Sequence, residues 1–292
     1  MIEPNNLFVL GGSRCGSTLF NTILNQNKKF NCSNPNETLY FFKNKISKEF
    51  YEKTFFKNKK GIKVETSPQY LSKPTTVSKN IFDIYSYKEC KFIIVIRDPI
   101  ERMISDYNYR LNLGRFDKLL VKDNQKINFK NVIENEFEIY KKNLNKFDSR
   151  KYGVFFDSLY YEHIKKWIEI VGKENILFLN MEMLKKDFKG YFNKVNKFCG
   201  LDLFEYENFY VNTSSNVSLI QKLIFRKSII KSILKVFMPK KFRRNLKEKI
   251  RLTSTSKKIN KNDFSYFYQD IPKEISEILL NDYKKTLDLI NS

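Results

Sequence analysis

The chain has 292 residues, of which 54 are Lys or Arg and 32 Asp or Glu, giving a formal charge of +22. With 41% hydrophobic residues and no apolar run near the roughly 20 residues of a membrane span, the composition excludes a transmembrane bundle. The hydrophobic content is ordinary and points to a soluble enzyme with a substantial core. Four widely spaced cysteines (Cys15, Cys32, Cys90, Cys199) form no C-x-x-C pair, which argues for reduced thiols over a disulfide framework or a zinc site. The start Met1-Ile2-Glu3-Pro4 leaves no room for a signal peptide before the first strand, so the expectation is a cytoplasmic protein.

In chain order, Leu7–Leu10 reads as an apolar strand. It is followed by Gly11-Gly12-Ser13-Arg14-Cys15-Gly16-Ser17-Thr18 and a helix over 17–27. A strand, a glycine turn and hydroxyl residues opening a helix make an anion cradle, because backbone amides and a helix N-terminus face the ligand. The spacing from Gly11 to Thr18 follows G-x-x-x-x-G-K-[ST], except that Ser17 stands where the lysine belongs and the cation lies upstream at Arg14. Extended pieces are predicted over 38–42 and 62–65, a helix over 75–87, then a strand over 91–96. That second strand runs into Arg97, not into the Asp that helps hold magnesium in an NTPase. A cation there suits a second phosphate and no metal. Helices over 99–112, 130–145, 157–172 and 187–198, with a strand over 176–179 and a polar loop over 111–130, complete the pattern. Strands alternating with helices argue a parallel sheet covered on both faces, with the ligand at the carboxyl ends of the strands.

These residues resemble the sulfotransferases that use 3′-phosphoadenosine 5′-phosphosulfate (PAPS). Arg14-Cys15-Gly16-Ser17-Thr18 is similar to that family's 5′-phosphosulfate loop, and Arg97-Asp98-Pro99-Ile100-Glu101-Arg102-Met103-Ile104-Ser105 to its 3′-phosphate element. Glu37–Phe42, Glu65–Tyr70 and Ser158–Trp167 are similar to further family segments, in the same order, with the glycan-modifying sulfotransferases nearest in flavour. The resemblance implies a P-loop-containing three-layer α/β/α fold, PAPS as co-substrate with PAP as product, and no metal. It implies binding of the nucleotide by Arg14, Cys15, Gly16, Ser17, Thr18, Arg97 and Ser105. It also implies catalysis by Glu37, the base that deprotonates the acceptor hydroxyl or amine, and by Arg14, an electrostatic clamp whose high pKa bars it from acid catalysis. Glu65 is a second candidate base. Thr66 stands where some relatives carry lysine. His163 reads as structural. Arg102 reads equally as a ligand and as a partner of an acid. Cys15 reads as a reactive thiol or as a small residue filling the turn.

The domain expectation is a sulfotransferase core over 1–215 and a basic, mainly helical extension over 216–292. Between Leu219 and Lys261 fifteen Lys or Arg accompany one acid, Glu248. The apolar residues there recur at helical spacing, so the stretch reads either as a solvated helix or as a dock for an anionic or glycan acceptor or an anionic membrane surface. No nucleic-acid-binding signature accompanies the charge. Two other classes stay open on the residues alone: a P-loop kinase that has lost its lysine, and a non-catalytic binder of anionic polymer or membrane.

Overall fold

The computed structural model describes residues 4–56, 60–113, 128–142, 153–207 and 265–292. The turn at 212–216, the basic stretch 219–261 and most of the polar segment 111–130 lie outside the described residues.

Five parallel strands form one sheet: β1 (Asn6–Gly11), β2 (Phe30–Cys32), β3 (Ile62–Thr66), β4 (Cys90–Ile96) and β5 (Ile176–Asn180), in the order β2-β3-β1-β4-β5. β1 pairs Val9 with Thr66 on one side and with Ile93 on the other. It is therefore central and buried on both faces, which is why Leu7–Leu10 is unbroken apolar sequence. Its alternate residues feed two cores. Phe8 and Leu10 join Phe41, Tyr70, Phe92, Ile94 and Trp167 on one face. Leu7 and Val9 join Phe20, Ile23, Val95, Leu179 and Phe192 on the other.

The helices are α1 (Ser17–Leu24), α2 (Lys48–Phe55), α3 (Pro74–Phe82), α4 (Pro99–Leu113), α5 (Phe129–Lys142), α6 (Gly153–Phe156), α7 (Tyr161–Val171), α8 (Met181–Lys186), α9 (Phe188–Phe198), α10 (Ser265–Gln269) and α11 (Lys273–Asn291). The chain after β1 travels through α1 to β2 and β3, and the chain after β4 travels the other way to β5. The strand order reverses between β1 and β4, and in open parallel sheets ligands bind at such a switch point, outside the carboxyl ends of the strands.

Two compact units are defined. The first comprises Met1–Arg102, Phe155–Phe209 and Lys273–Ser292 and carries the sheet; the second comprises Met103–Val154 and Tyr210–Pro272. In the first, α11 packs on α7, and Asp282 accepts the amides of Tyr160 (2.6 Å) and Tyr161 (3.2 Å), so the last twenty residues complete the fold around the sheet. In the second, Tyr107, Phe129 and Phe267 form an edge-to-face triad with centroids 5.1–6.0 Å apart, and Arg110 pairs with Asp106 at 2.7 Å.

The sequence pattern missed β2, α2, α6 and α8. β2 is three residues long, α6 four and α8 six, too short for either period to register. α2 announces itself only through Ser47, whose side chain accepts the Phe50 amide at its start. The predicted extended piece at 38–42 is instead a single 3-10 turn over Tyr40–Phe42, entered through Leu39 at φ +52°.

Candidate active site

β1 delivers the chain to a turn whose first two residues, Gly11 and Gly12, have no room for a side chain. A Cβ on Gly11 would sit 2.4 Å from the Val95 carbonyl oxygen, and one on Gly12 2.8 Å from that of Asp157. The Cys15 amide closes the turn on the Gly12 oxygen at 3.1 Å. Arg14 (φ +75°) and Gly16 (φ +82°) are both left-handed, free of cost for glycine but about 1 kcal/mol or more for arginine. α1 then starts at Ser17 with no side-chain cap and no acid in its first turn. Its first amides have no partner within the helix, and the helix dipole adds roughly half a positive charge there. The arrangement attracts an anion.

Cys15 fills the turn. Its thiol is buried 3.8 Å from the Tyr160 hydroxyl, and burial pushes its pKa up, the opposite of an activated thiol.

The second turn follows β4. Asp98 accepts the Glu101 amide at 2.8 Å and so starts α4. Arg97 pairs with Glu101 at 3.0 Å and donates to the Arg14 carbonyl at 3.4 Å, while its Nε is buried without a partner. Burial raises the Glu101 pKa, but Arg97 and Lys185 outweigh it and the net shift is downward. Arg97 is thus braced by an acid on one side and has an open donor on the other. Arg102 is fully buried and donates to the Ser158 hydroxyl (2.6 Å) and the Ser13 carbonyl (3.1 Å). It supports the first turn from beneath. Ser105 lies buried further along α4, in the second unit.

Tyr160, within the family-like stretch Ser158–Trp167 but assigned no role there, joins the two turns. Its hydroxyl donates to the Arg97 carbonyl at 3.1 Å, and its ring lies 3.4 Å from where a Gly12 Cβ would stand.

Glu37 meets the first turn. It accepts the Ser17 hydroxyl at 2.9 Å and the Gln69 amide at 3.4 Å, and it is partly exposed. Glu65 is only 1% exposed and accepts four hydroxyls, from Thr38, Tyr51, Ser67 and Tyr70. Burial pushes its pKa up, while the hydrogen bonds from Thr38, Tyr51, Tyr70 and Ser67 pull against that shift. A carboxylate so enclosed cannot reach an acceptor, which removes Glu65 as the second candidate base. Beside it, the Thr66 hydroxyl is buried and unpartnered at the carboxyl end of β3. His163 sits on α7, with its pKa pushed down to about 4 by burial and by Lys73.

A parallel sheet with a glycine turn after its central strand and an uncapped helix behind that turn defines a P-loop-like α/β protein built to bind an anion. The sulfotransferase domain family matches residues 4–291, and the chain belongs to that family. A sulfotransferase from Alicyclobacillus acidocaldarius superposes with a TM-score of 0.57 at 17% identity, covering 84% of this chain and 94% of the other. Mouse sulfotransferase SULT7A1, crystallised with PAP, covers 84% and 82% at 17% identity with a TM-score of 0.41. The membrane-associated sulfotransferase kil1 of Dictyostelium discoideum is 29% identical over 112 residues. That match spans 36% of this chain and 23% of kil1.

Proposed function

We propose that this protein transfers a sulfuryl group from PAPS to a hydroxyl or amine of a glycan acceptor. The observation that carries the proposal is the 2.9 Å hydrogen bond between Glu37 and Ser17, which sets a carboxylate beside the hydroxyl that opens the anion-binding helix. The residues fit the nucleotide. The uncapped start of α1 and the orphaned Nε of Arg97 each suit a negatively charged group.

PAPS supplies an activated sulfuryl group with PAP as leaving group. The amides of Gly16, Ser17 and Thr18 and the side chain of Arg14 hold the 5′ end, with Cys15 shaping the turn. Arg97 holds the 3′-phosphate, and the sequence motif adds Ser105. Glu37 accepts the acceptor's proton as the acceptor atom bonds to sulfur. Arg14 and the α1 amides stabilise the charge that collects on the bridging oxygen as its bond to sulfur breaks. Fixed donors aimed at developing charge are the main catalytic resource in such in-line transfers.

A glycan acceptor is supported by the motif flavour and by the +22 charge, which favours anionic partners. The stretch 219–261 is proposed as the docking element for that acceptor or for an anionic membrane surface. A cytoplasmic, reducing setting is supported by four widely spaced cysteines with no C-x-x-C pair.

Thermal shift with PAP, ATP and AMP tests the donor. Selective stabilisation by PAP, about 2.7 kcal/mol at 100 times Kd, together with its loss in Arg97→Ala, is expected. Equal stabilisation by Mg-ATP overturns it. Transfer of label from [35S]PAPS to heparosan, p-nitrophenol or a glycolipid then ranks the acceptors, and heparosan is expected to lead.

A further inference from the structure

The segment after Glu37 is held in an unusual way. Three consecutive amides each donate to a hydroxyl: Leu39 to Ser67 (3.4 Å), Tyr40 to Thr38 (3.1 Å) and Phe41 to Tyr70 (3.0 Å). A hydroxyl that accepts an amide has its own proton left to give, and all three give it to the same atom, Oε1 of Glu65: Ser67 and Tyr70 at 2.7 Å, and Thr38 in a short contact. Chains of this kind strengthen each bond by polarisation in a buried setting. The ionised carboxylate is the acceptor that suits three donors on one oxygen, since it offers lone pairs and no competing proton.

The backbone needs such a hold. Leu39 is left-handed at φ +52°, a conformation that persists only where surrounding contacts impose it. From the far side Asn80 donates to the carbonyls of Phe41 (2.8 Å) and Lys43 (3.0 Å).

We infer that Glu65 is a positioning residue that aims Glu37, acting through the Ser67, Thr38 and Tyr70 hydroxyls on the three amides that follow it. The inference rests on the reading of Glu37 as the base. Glu65 never meets the acceptor. It fixes the turn in which Glu37 faces Ser17 and Gln69, so that the base stands beside the anion turn before any substrate arrives. A base held within a narrow range of positions is worth orders of magnitude in an in-line transfer.

The cage contains its own control. Tyr51 donates to Glu65 through the other oxygen, Oε2, and relays no backbone amide. Tyr51→Phe and Tyr70→Phe therefore each remove one hydroxyl from the same carboxylate, and only Tyr70→Phe cuts a relay. In the full-length protein, hydrogen–deuterium exchange is followed in a peptide covering 37–42. Exchange about tenfold faster is expected in Tyr70→Phe and in Ser67→Ala, the effect of one net hydrogen bond. Tyr51→Phe is expected to lower Tm while leaving that peptide within twofold of wild type. Transfer from [35S]PAPS to heparosan is expected to show kcat lowered about tenfold in Tyr70→Phe, with Kd for PAP unchanged.

Equal loosening of the peptide in Tyr51→Phe and Tyr70→Phe makes the cage a mere core network and overturns the inference. So does loosening without loss of kcat. Wild-type transfer by Glu37→Gln overturns the base reading instead, and the exchange pattern separates the two failures.

Discussion

The turn Gly11–Thr18 and the segment Glu37–Phe42 meet at the Ser17–Glu37 hydrogen bond, yet they treat their backbones in opposite ways. At α1 the first amides are left without a cap. After Glu37 every amide from Leu39 to Phe41 has a hydroxyl partner. Open amides are costly unless an anion completes them, so they suit a ligand. Closed amides hold a side chain in place, so they mark where aim matters. One region is unfinished without substrate, and the other is finished in advance.

The sharpest way to separate them is to remove the carboxylate that the second region presents. Glu37→Gln keeps the shape and the Ser17 contact but cannot take a proton. It should lower kcat by about 10²–10⁴-fold, the usual range for a general base, with PAP affinity within twofold. Single-turnover transfer from [35S]PAPS together with PAP titration reads both, and a Glu37→Gln enzyme with wild-type kcat would remove the base.

The opposite experiment damages the first region. In Gly12→Ala the new methyl meets the Asp157 carbonyl at 2.8 Å, the Arg102 side chain at 3.0 Å and Tyr160 at 3.4 Å. Overpacking of this kind costs about 1–3 kcal/mol. Because Arg102 and Tyr160 brace both turns, urea unfolding and PAP binding should weaken together. Loss of stability with intact PAP affinity would show the bracing to be unimportant.

Acid tests a third place, away from both. The His163 pKa is depressed to about 4, so between that value and the unfolded value near 6.5 the unfolded chain binds a proton that the native chain refuses. Stability should therefore be full above about pH 6.5 and fall as pH drops toward 4. The ring is partly exposed, and solvent screening reduces the effect to about 1–2 kcal/mol. Urea midpoints from pH 7 to 4 should flatten in His163→Gln; an unchanged slope assigns the acid sensitivity to other groups. The smallest effect serves as a control. Ser47→Ala deletes the cap of α2 at about 1 kcal/mol and should leave PAP binding untouched in the same titration.

Both turns could be read directly from the chain, because each is a contiguous run in which arginine and hydroxyl residues follow an apolar strand. The strands β1 and β4 were equally plain, since central parallel strands are apolar throughout. The aromatic run at 38–42 has the composition of an extended piece but folds as a 3-10 turn. Tyr40 and Phe41 both go into the core, which a strand with alternating faces would not allow, and the local sequence contains no sign of the Ser67 and Tyr70 hydroxyls that bend it. Glu65 was open to reading as a base for the same reason: only its surroundings reveal four donors and no access.

By itself the sequence determined the longer strands and helices, the two arginine-bearing turns that follow β1 and β4, and the family, because those depend on neighbours along the chain. It also placed an acid at position 37. The tertiary structure decided which groups were finished and which were left open. It gave the Arg102 guanidinium to the Ser13 carbonyl, set Tyr160 between turns that lie more than eighty residues apart in sequence, and enclosed Glu65 while bringing Glu37 to Ser17. Those outcomes depend on which long-range partner reaches each buried polar group, and burial makes an unpartnered group too costly to leave to chance.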